Sequence, residues 1–230
     1  MCTVSWSWSG ASYELLCNRD ERKTRAPAIP PKSAPEVLSP RDPEGGGTWI
    51  AVNASGVSIA LLNGANAGPG TLSRGLLPAR LIRLENTTNI NAEMATIDYN
   101  DFAPFTLLLI ASNEPAHIYT WNGANILHQT DPNQQGLLTS SSMDAPGARA
   151  YRTALFENEP SLETFHKSHG LSPSAYSPCM HRVDAETVSF SRIRVTPESI
   201  TFLYKPTAPC RSGPEETSAI TCSSGSPSAH

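Results

Sequence analysis

This sequence is short of charge and has no long apolar run. Charged residues make up 17% of its 230 positions, and 17 Lys and Arg against 21 Asp and Glu leave a formal net charge of -4. A nucleic-acid partner calls for a concentrated basic face. Here the basic residues are scattered, apart from the mixed-charge run Arg19–Arg25, so no such partner is expected. No stretch approaches the roughly 20 apolar residues of a membrane span. The amino terminus has no basic region followed by an apolar core, which argues against a secretory signal. The expected location is the cytoplasm. The five cysteines, Cys2, Cys17, Cys179, Cys210 and Cys222, are odd in number and widely spaced. That fits a reduced chain better than a disulfide framework. No CxxC or HxxxH pair occurs, so neither a structural zinc site nor any other metal is expected. No GxxxxGK[ST] loop occurs, and Gly45-Gly46-Gly47 is not followed by a helix start with Lys, so a nucleotide cradle is not expected either. The residues themselves point to no cofactor.

What the chain does have is enough apolar residue, 39%, for one sizeable domain, and a distinctive beginning. Cys2 follows the initiator methionine directly. Removal of Met1, usual before a small residue, would give Cys2 both a thiol and a free α-amine. Such an amine titrates near pH 8 (about 7.7–8.0) and can act as the base for its own side chain. Behind Cys2, Val4, Trp6 and Trp8 alternate with Thr3, Ser5 and Ser7, which is a strand period. Ser9–Ser12 reads as a turn and Tyr13–Asn18 as the return strand, so a hairpin sets Cys2 beside Asn18-Arg19-Asp20-Glu21.

Residues 26–47 read as a Pro/Gly-rich loop. Thr48–Asn53 and Val57–Asn63 form a second hairpin, and Ser73–Leu84 carries apolar residues at helical spacing, with Pro78 kinking or starting that helix. Strands are expected at Phe105–Ala111, His117–Trp121, Ile126–Gln129 and Leu137–Ser140, helices at Gly147–Phe156 and Ser161–His169, and a last hairpin over Thr187–Val195 and Ser199–Tyr204. Cys179–Asp184 reads as a loop with local hydrogen bonding rather than a functional His181/Asp184 pair, and Cys17 and Cys179 as buried thiols. The domain is expected over residues 1–206, with 207–230, rich in Ser, Gly, Pro and Thr, as a disordered tail. Antiparallel sheets with helices packed outside them make an α+β domain.

Met1-Cys2-Thr3-Val4, Asn18-Arg19-Asp20-Glu21, Arg41-Asp42 and Gly46-Gly47-Thr48-Trp49, in that order, resemble the NRDE family, also called transport and Golgi organization protein 2-like. Gly75-Leu76-Leu77, Phe105–Ile110 and Leu138–Met143 extend the resemblance over most of residues 1–204. The family is in turn distantly similar to the cysteine N-terminal-nucleophile hydrolases, the branch that holds bile-salt hydrolases and penicillin V acylase. The resemblance implies an αββα sandwich with Cys2 as nucleophile, Asp20 near its α-amine and Asn63, at the end of the second hairpin, in an oxyanion hole. Asn18, Arg19, Ser140 and Arg149 are the implied substrate contacts. The acylases carry an Arg where Cys17 stands and an Asn where Ser140 stands. Arg19, following Asn18, leaves its strand on the opposite face.

Two functions follow. One is hydrolysis of a linear amide or thioester through acyl-Cys2. The other is a non-catalytic binding or trafficking role toward a small acyl ligand, lipid, acyl-CoA or haem, with Golgi or mitochondrial association, and with Cys2 as an axial ligand in the haem case.

Overall fold

The computed structural model describes residues 2–32, 36–64 and 70–221. The two hairpins seed two six-stranded antiparallel sheets. The first sheet contains β1 (Cys2–Ser9), β2 (Ser12–Arg22), β9 (Gln135–Thr139), β10 (Ala185–Val195), β11 (Ser199–Lys205) and β12 (Glu216–Thr221), ordered β12-β11-β10-β2-β1-β9. The second contains β3 (Val37–Leu38), β4 (Ile50–Asn53), β5 (Ser58–Asn63), β6 (Phe105–Ile110), β7 (Ala116–Trp121) and β8 (Ile126–Asp131), in chain order.

The sheets pack face to face through Val4, Trp6, Leu15 and Ile193 of the first and Ile50, Val52, Leu62 and Leu108 of the second. Helices α3 (Ala145–Asn158) and α4 (Leu162–Lys167) cover the outer face of the first sheet. Helices α1 (Leu76–Leu81) and α2 (Thr87–Met94) cover that of the second, with Leu77, Leu81, Ile90 and Met94 over Ile59, Leu61 and Leu107. The result is an αββα sandwich. Both faces of β5 and β6 are therefore buried, which is why SIALLN and FTLLLI read as continuous apolar runs rather than alternating ones.

In β1 the alternation of Val and Trp with Thr and Ser suggests a wet outer face, yet Thr3 and Ser5 are fully buried beneath α4. Ser5 Oγ is satisfied there by His166 Nε2 at 2.8 Å. A buried hydroxyl left without a partner would cost about 1–3 kcal/mol, so this bond sets where α4 can sit.

Local signals fix the helix ends. Asn86, Asp144 and Ser161 each cap a helix by accepting the N–H of Asn89, Gly147 and Thr164 respectively. Pro78 lies in the first turn of α1, where its missing N–H has no intrahelical partner to lose. On β9, a Cβ at Gly136 would overlap the Trp6 ring opposite it. The β10–β2 ladder slips register between Thr187, which pairs with Asp20, and Ser189, which pairs with Arg19.

One boundary needs correction. Residues 216–221, expected in a disordered tail, form β12 and pair with β11 from Ser199↔Thr221 to Tyr204↔Glu216. Its sequence ETSAIT carries little apolar content because it is an edge strand, burying Ile220 alone among its hydrophobic side chains. Residues 222–230, including Cys222, lie outside the described residues. Among the described residues no helix is long and apolar enough to cross a membrane.

Candidate active site

Strand alternation sorts the NRDE run onto two faces. Cys2 pairs directly with Arg19 across the β1–β2 ladder, and Val4 with Cys17. Cys2, Cys17 and Arg19 therefore point between the sheets, while Asn18 and Asp20 point toward the helix layer. The face opposite Asn18 is thus the face of the thiol, and Arg19 sits beside Cys2.

Cys2 is buried, 6% exposed, at the floor of a cleft of about 140 Å³ shared with Arg19, Asn63 and Arg74. Its thiol is brought down from the ordinary 9.0 to about 7. The largest cause is the hydrogen bond from the Cys17 thiol. Burial and the Asp20 charge oppose the change, and the amino terminus and Arg19 support it. Cys17 is pushed the other way, well above its ordinary value, chiefly because it is the donor in this pair. Of the two thiols, Cys2 is therefore the one that ionises first, with Cys17 remaining the protonated donor.

The backbone nitrogen of Cys2 donates to Ser140 Oγ at 2.9 Å, and Ser140 N donates back to Cys2 O at 3.0 Å. Ser140 is anchored from behind by Arg152, whose Nη1 donates to Ser140 O at 3.3 Å. Arg152 is completely buried. Its Nε donates to Tyr176 O at 3.1 Å, and its Nη2 lies 3.8 Å from Asp20 Oδ2. Asp20 Oδ1 accepts the Thr187 hydroxyl at 2.6 Å. Burial raises the Asp20 carboxyl, while Arg152, the amino terminus and Thr187 pull it back down.

Arg19 is held flat. Its guanidinium carbon lies 4.2 Å over the Trp49 ring, and Nη2 donates to Asp42 Oδ2 at 3.1 Å. Arg25 meets the same oxygen through Nη2 at 2.5 Å. Burial opposes ionisation of Asp42, but the Arg25 hydrogen bond, the Gly45 N–H and the two guanidinium charges hold its carboxyl below the ordinary range. The Gly-Gly pair before Trp49 has a steric reason as well. A Cβ on Gly47 would run into the backbone of Gly75, whose carbonyl accepts Thr48 N at 3.0 Å, and this contact brings Arg74 to the cleft.

Asn63, at the exposed end of β5, lines the same cleft. Three expected substrate contacts do not line it: Ser140, which instead holds Cys2 N, Asn18 and Arg149. Asn18 is fully buried on the helix side, donating to His166 O at 2.9 Å and Pro178 O at 2.8 Å. Arg149 lies exposed on the outer face of α3 beside Pro146 and Thr153. The arginine of this helix that turns inward is Arg152, one turn along from the buried Ala148. That i, i+4 pairing of buried positions was the available signal. Arg74 and the donor role of Cys17 have no counterpart in the sequence reading.

The family model described as Transport and Golgi organisation 2 matches residues 1–193. The chain belongs to the Transport and Golgi organisation 2 family. No curated protein matches this family member at a significant level. Three solved structures share its architecture at TM-scores of 0.56. Penicillin V acylase from Agrobacterium tumefaciens is 8% identical, over 90% of this chain and 83% of that one. A Caenorhabditis elegans ortholog of N-acylethanolamine-hydrolyzing acid amidase is 11% identical, over 83% and 92%. A C2A mutant of conjugated bile acid hydrolase from Clostridium perfringens is 8% identical, over 94% and 92%. At these identities they establish the fold, that of the N-terminal-nucleophile hydrolases, for this Transport and Golgi organisation 2 chain.

Proposed function

We propose that this protein hydrolyses a linear amide or thioester through an acyl-Cys2 intermediate. The observation that carries the reading is the Cys2 thiol, at about 7, facing a cleft while its own backbone nitrogen is held by Ser140. Once Met1 is removed, that nitrogen is the α-amine, and Ser140 Oγ is positioned to orient it.

In the proposed reaction the Cys2 thiolate attacks the carbonyl carbon and the C=O electron pair moves onto oxygen. The Asn63 amide donates to that oxyanion. When the tetrahedral intermediate collapses, the bond to the leaving amine or thiol breaks and the leaving group takes a proton from the α-ammonium. Water, deprotonated by the now neutral α-amine, attacks acyl-Cys2, and the carboxylic acid leaves with the thiolate regenerated. An amide donor at a developing oxyanion is worth about 10²–10³ in kcat.

The cleft is small beside the roughly 300–1,000 Å³ of whole-ligand pockets, so it suits the scissile group and its immediate neighbours. Arg19, Glu21 and Arg25 form a wall shared with a second cavity of about 280 Å³, whose lining includes Ala28, Val188, Pro206 and Ala208. That cavity, lined by both charged and apolar side chains, offers room for an acyl arm.

The test is turnover of an acyl-thioester and acyl-amide panel by native protein, combined with intact-mass analysis. Expected are loss of Met1, an acyl adduct on Cys2, and abolition of turnover in a folded Cys2→Ala variant. Retained Met1 in the active protein, or turnover unaffected by Cys2→Ala, would overturn the reading. The size of the cleft weighs against haem held on Cys2. A Soret band that grows with added haem and disappears in Cys2→Ala would restore that alternative.

A further inference from the structure

Behind the site, the 17 positions from Ser168 to Asp184 link α4 to β10 without a named helix or strand. Loops longer than about 12–15 residues without internal structure are uncommon in compact domains unless something else orders them. This one does structural work. Pro178 O accepts Asn18, Tyr176 O accepts Arg152, and Met180 N donates to Thr187 Oγ1 at 2.8 Å.

Four side chains of metal-ligand type converge on the loop. His169, Cys179 and His181 come from it, and Cys210 comes from the segment between β11 and β12. Their four ligand atoms all lie within 4.8 Å of one another. His181 Nε2 is 3.6 Å from Cys179 Sγ and 3.2 Å from Cys210 Sγ. A tetrahedral zinc site with bonds of about 2.3 Å to sulfur and 2.0–2.1 Å to nitrogen has ligand–ligand edges of roughly 3.3–3.8 Å. The cluster is already close to that size.

Two further observations point to a cation rather than to a chance meeting. His169 Nε2 is buried and has no hydrogen-bond partner among the described residues. The other nitrogen of His181, Nδ1, faces Glu186 Oε2 at 3.6 Å across a β-bridge that pairs the two residues. A carboxylate behind a ligating histidine fixes the tautomer that leaves Nε2 free for a metal. Glu186 is itself held by Arg211 Nη2 at 2.8 Å, next to Cys210.

We propose that His169, Cys179, His181 and Cys210 bind one structural zinc ion that clamps the 168–184 loop and the segment after β11 against the back of the Cys2 site. Two thiolates and two imidazoles suit zinc over hard cations, and four protein ligands close the coordination sphere. On binding, Cys179 and Cys210 each release a proton to solvent and the two thiolates balance the dication. Linear spacing hid the site because its ligands are 10, 2 and 29 positions apart along the chain. The expectation of no metal rested on that spacing alone. The proposal is independent of any chemistry at Cys2.

The test is metal analysis of the full-length protein, purified without chelators in a metal-free phosphine reductant, together with cobalt(II) titration of the stripped protein. One zinc per chain is expected in the wild type and in Cys2→Ala, and none in Cys210→Ser, whose exposed position tolerates the change. Cobalt should give the d–d bands of a tetrahedral site and thiolate charge transfer, both lost in Cys210→Ser. Glu186→Gln should bind zinc about 10–100-fold more weakly. Three results would overturn the proposal: no stoichiometric zinc with an octahedral cobalt spectrum, full zinc retained in Cys210→Ser, or a Cys179–Cys210 disulfide in protein isolated without reductant.

Discussion

Replacing Cys17 with alanine tests the electrostatics of the candidate nucleophile without touching it. The Cys17 thiol is the largest single influence holding Cys2 near 7 rather than 9.0, and burial works against it. Without the donor, the Cys2 midpoint should return to about 9 or above. That difference corresponds to about 2.7 kcal/mol of lost preference for the thiolate. At pH 7 the thiolate fraction falls from about half to about 1%, roughly 50-fold. A more basic thiolate is also a better nucleophile, by about 8-fold for a Brønsted coefficient of 0.4–0.5. The net expectation is alkylation of Cys2 roughly 6-fold slower at pH 7 and roughly 8-fold faster at a pH where Cys2 is ionised in both the wild type and the variant. The assay is the iodoacetamide rate at Cys2 against pH, read by peptide mass spectrometry. The crossing of the two profiles is diagnostic, because partial unfolding would raise reactivity at every pH. Cys17→Ser keeps a hydroxyl donor and should restore most of the low midpoint. A Cys17→Ala profile superimposed on that of the wild type would refute the reasoning.

Three further predictions concern the scaffold. Arg152→Met leaves the buried Asp20 without its guanidinium partner and should cost about 3–5 kcal/mol in chemical denaturation. Asp20, already raised by burial, then rises further, so that deficit should shrink as pH falls and Asp20 takes up a proton, and grow as pH rises through its folded value. Burial, with Arg152 adding, holds His166 down at about 3, so it stays neutral in the fold. The folded state therefore binds fewer protons than the unfolded chain, and stability should decline as pH drops below 6.5 toward 3, with a slope of up to about 1.4 kcal/mol per pH unit. His166→Gln should flatten the upper part of that decline, above about pH 5, before most carboxylates titrate. Gly136→Ala forces a methyl into the Trp6 ring and should lower the unfolding free energy measured by chemical denaturation by about 1–3 kcal/mol.

The hairpins were legible because each carries a local signal. Examples are the Val4/Trp6/Trp8 alternation and the Asn53–Val57 turn, in which Asn53 Oδ1 accepts the N–H groups of Ser55 and Val57. The burial of Thr3 and Ser5 was not legible, because a polar stripe reads the same whether it faces water or a histidine from a helix more than 150 residues later. The site was partly legible for the same reason. Cys2, Arg19 and Asn63 reach one cleft because hairpin registers are local. Arg74, the Cys17 donor and the His169–Cys210 cluster depend on contacts between distant segments. The resemblance implies Arg149, whereas helix phase, with Ala148 and Arg152 both buried, turns Arg152 inward.

The register slip in β10 has a consequence for how this fold can change. In an unbroken strand Thr187 and Ser189 would share a face. Here they pair with Asp20 and Arg19, which leave β2 on opposite faces. The strand thus runs in two phases, one set by the sandwich from Ser189 to Val195 and one set by the carboxylate at Asp20. Val188 is the joint between them. Deleting it would leave Thr187 opposite Asp20 in an unbroken register, whereas closing the bulge with Val188 retained would put Val188 opposite Asp20 and turn the Thr187 hydroxyl away from the carboxylate, with no residue lining the Cys2 cleft altered.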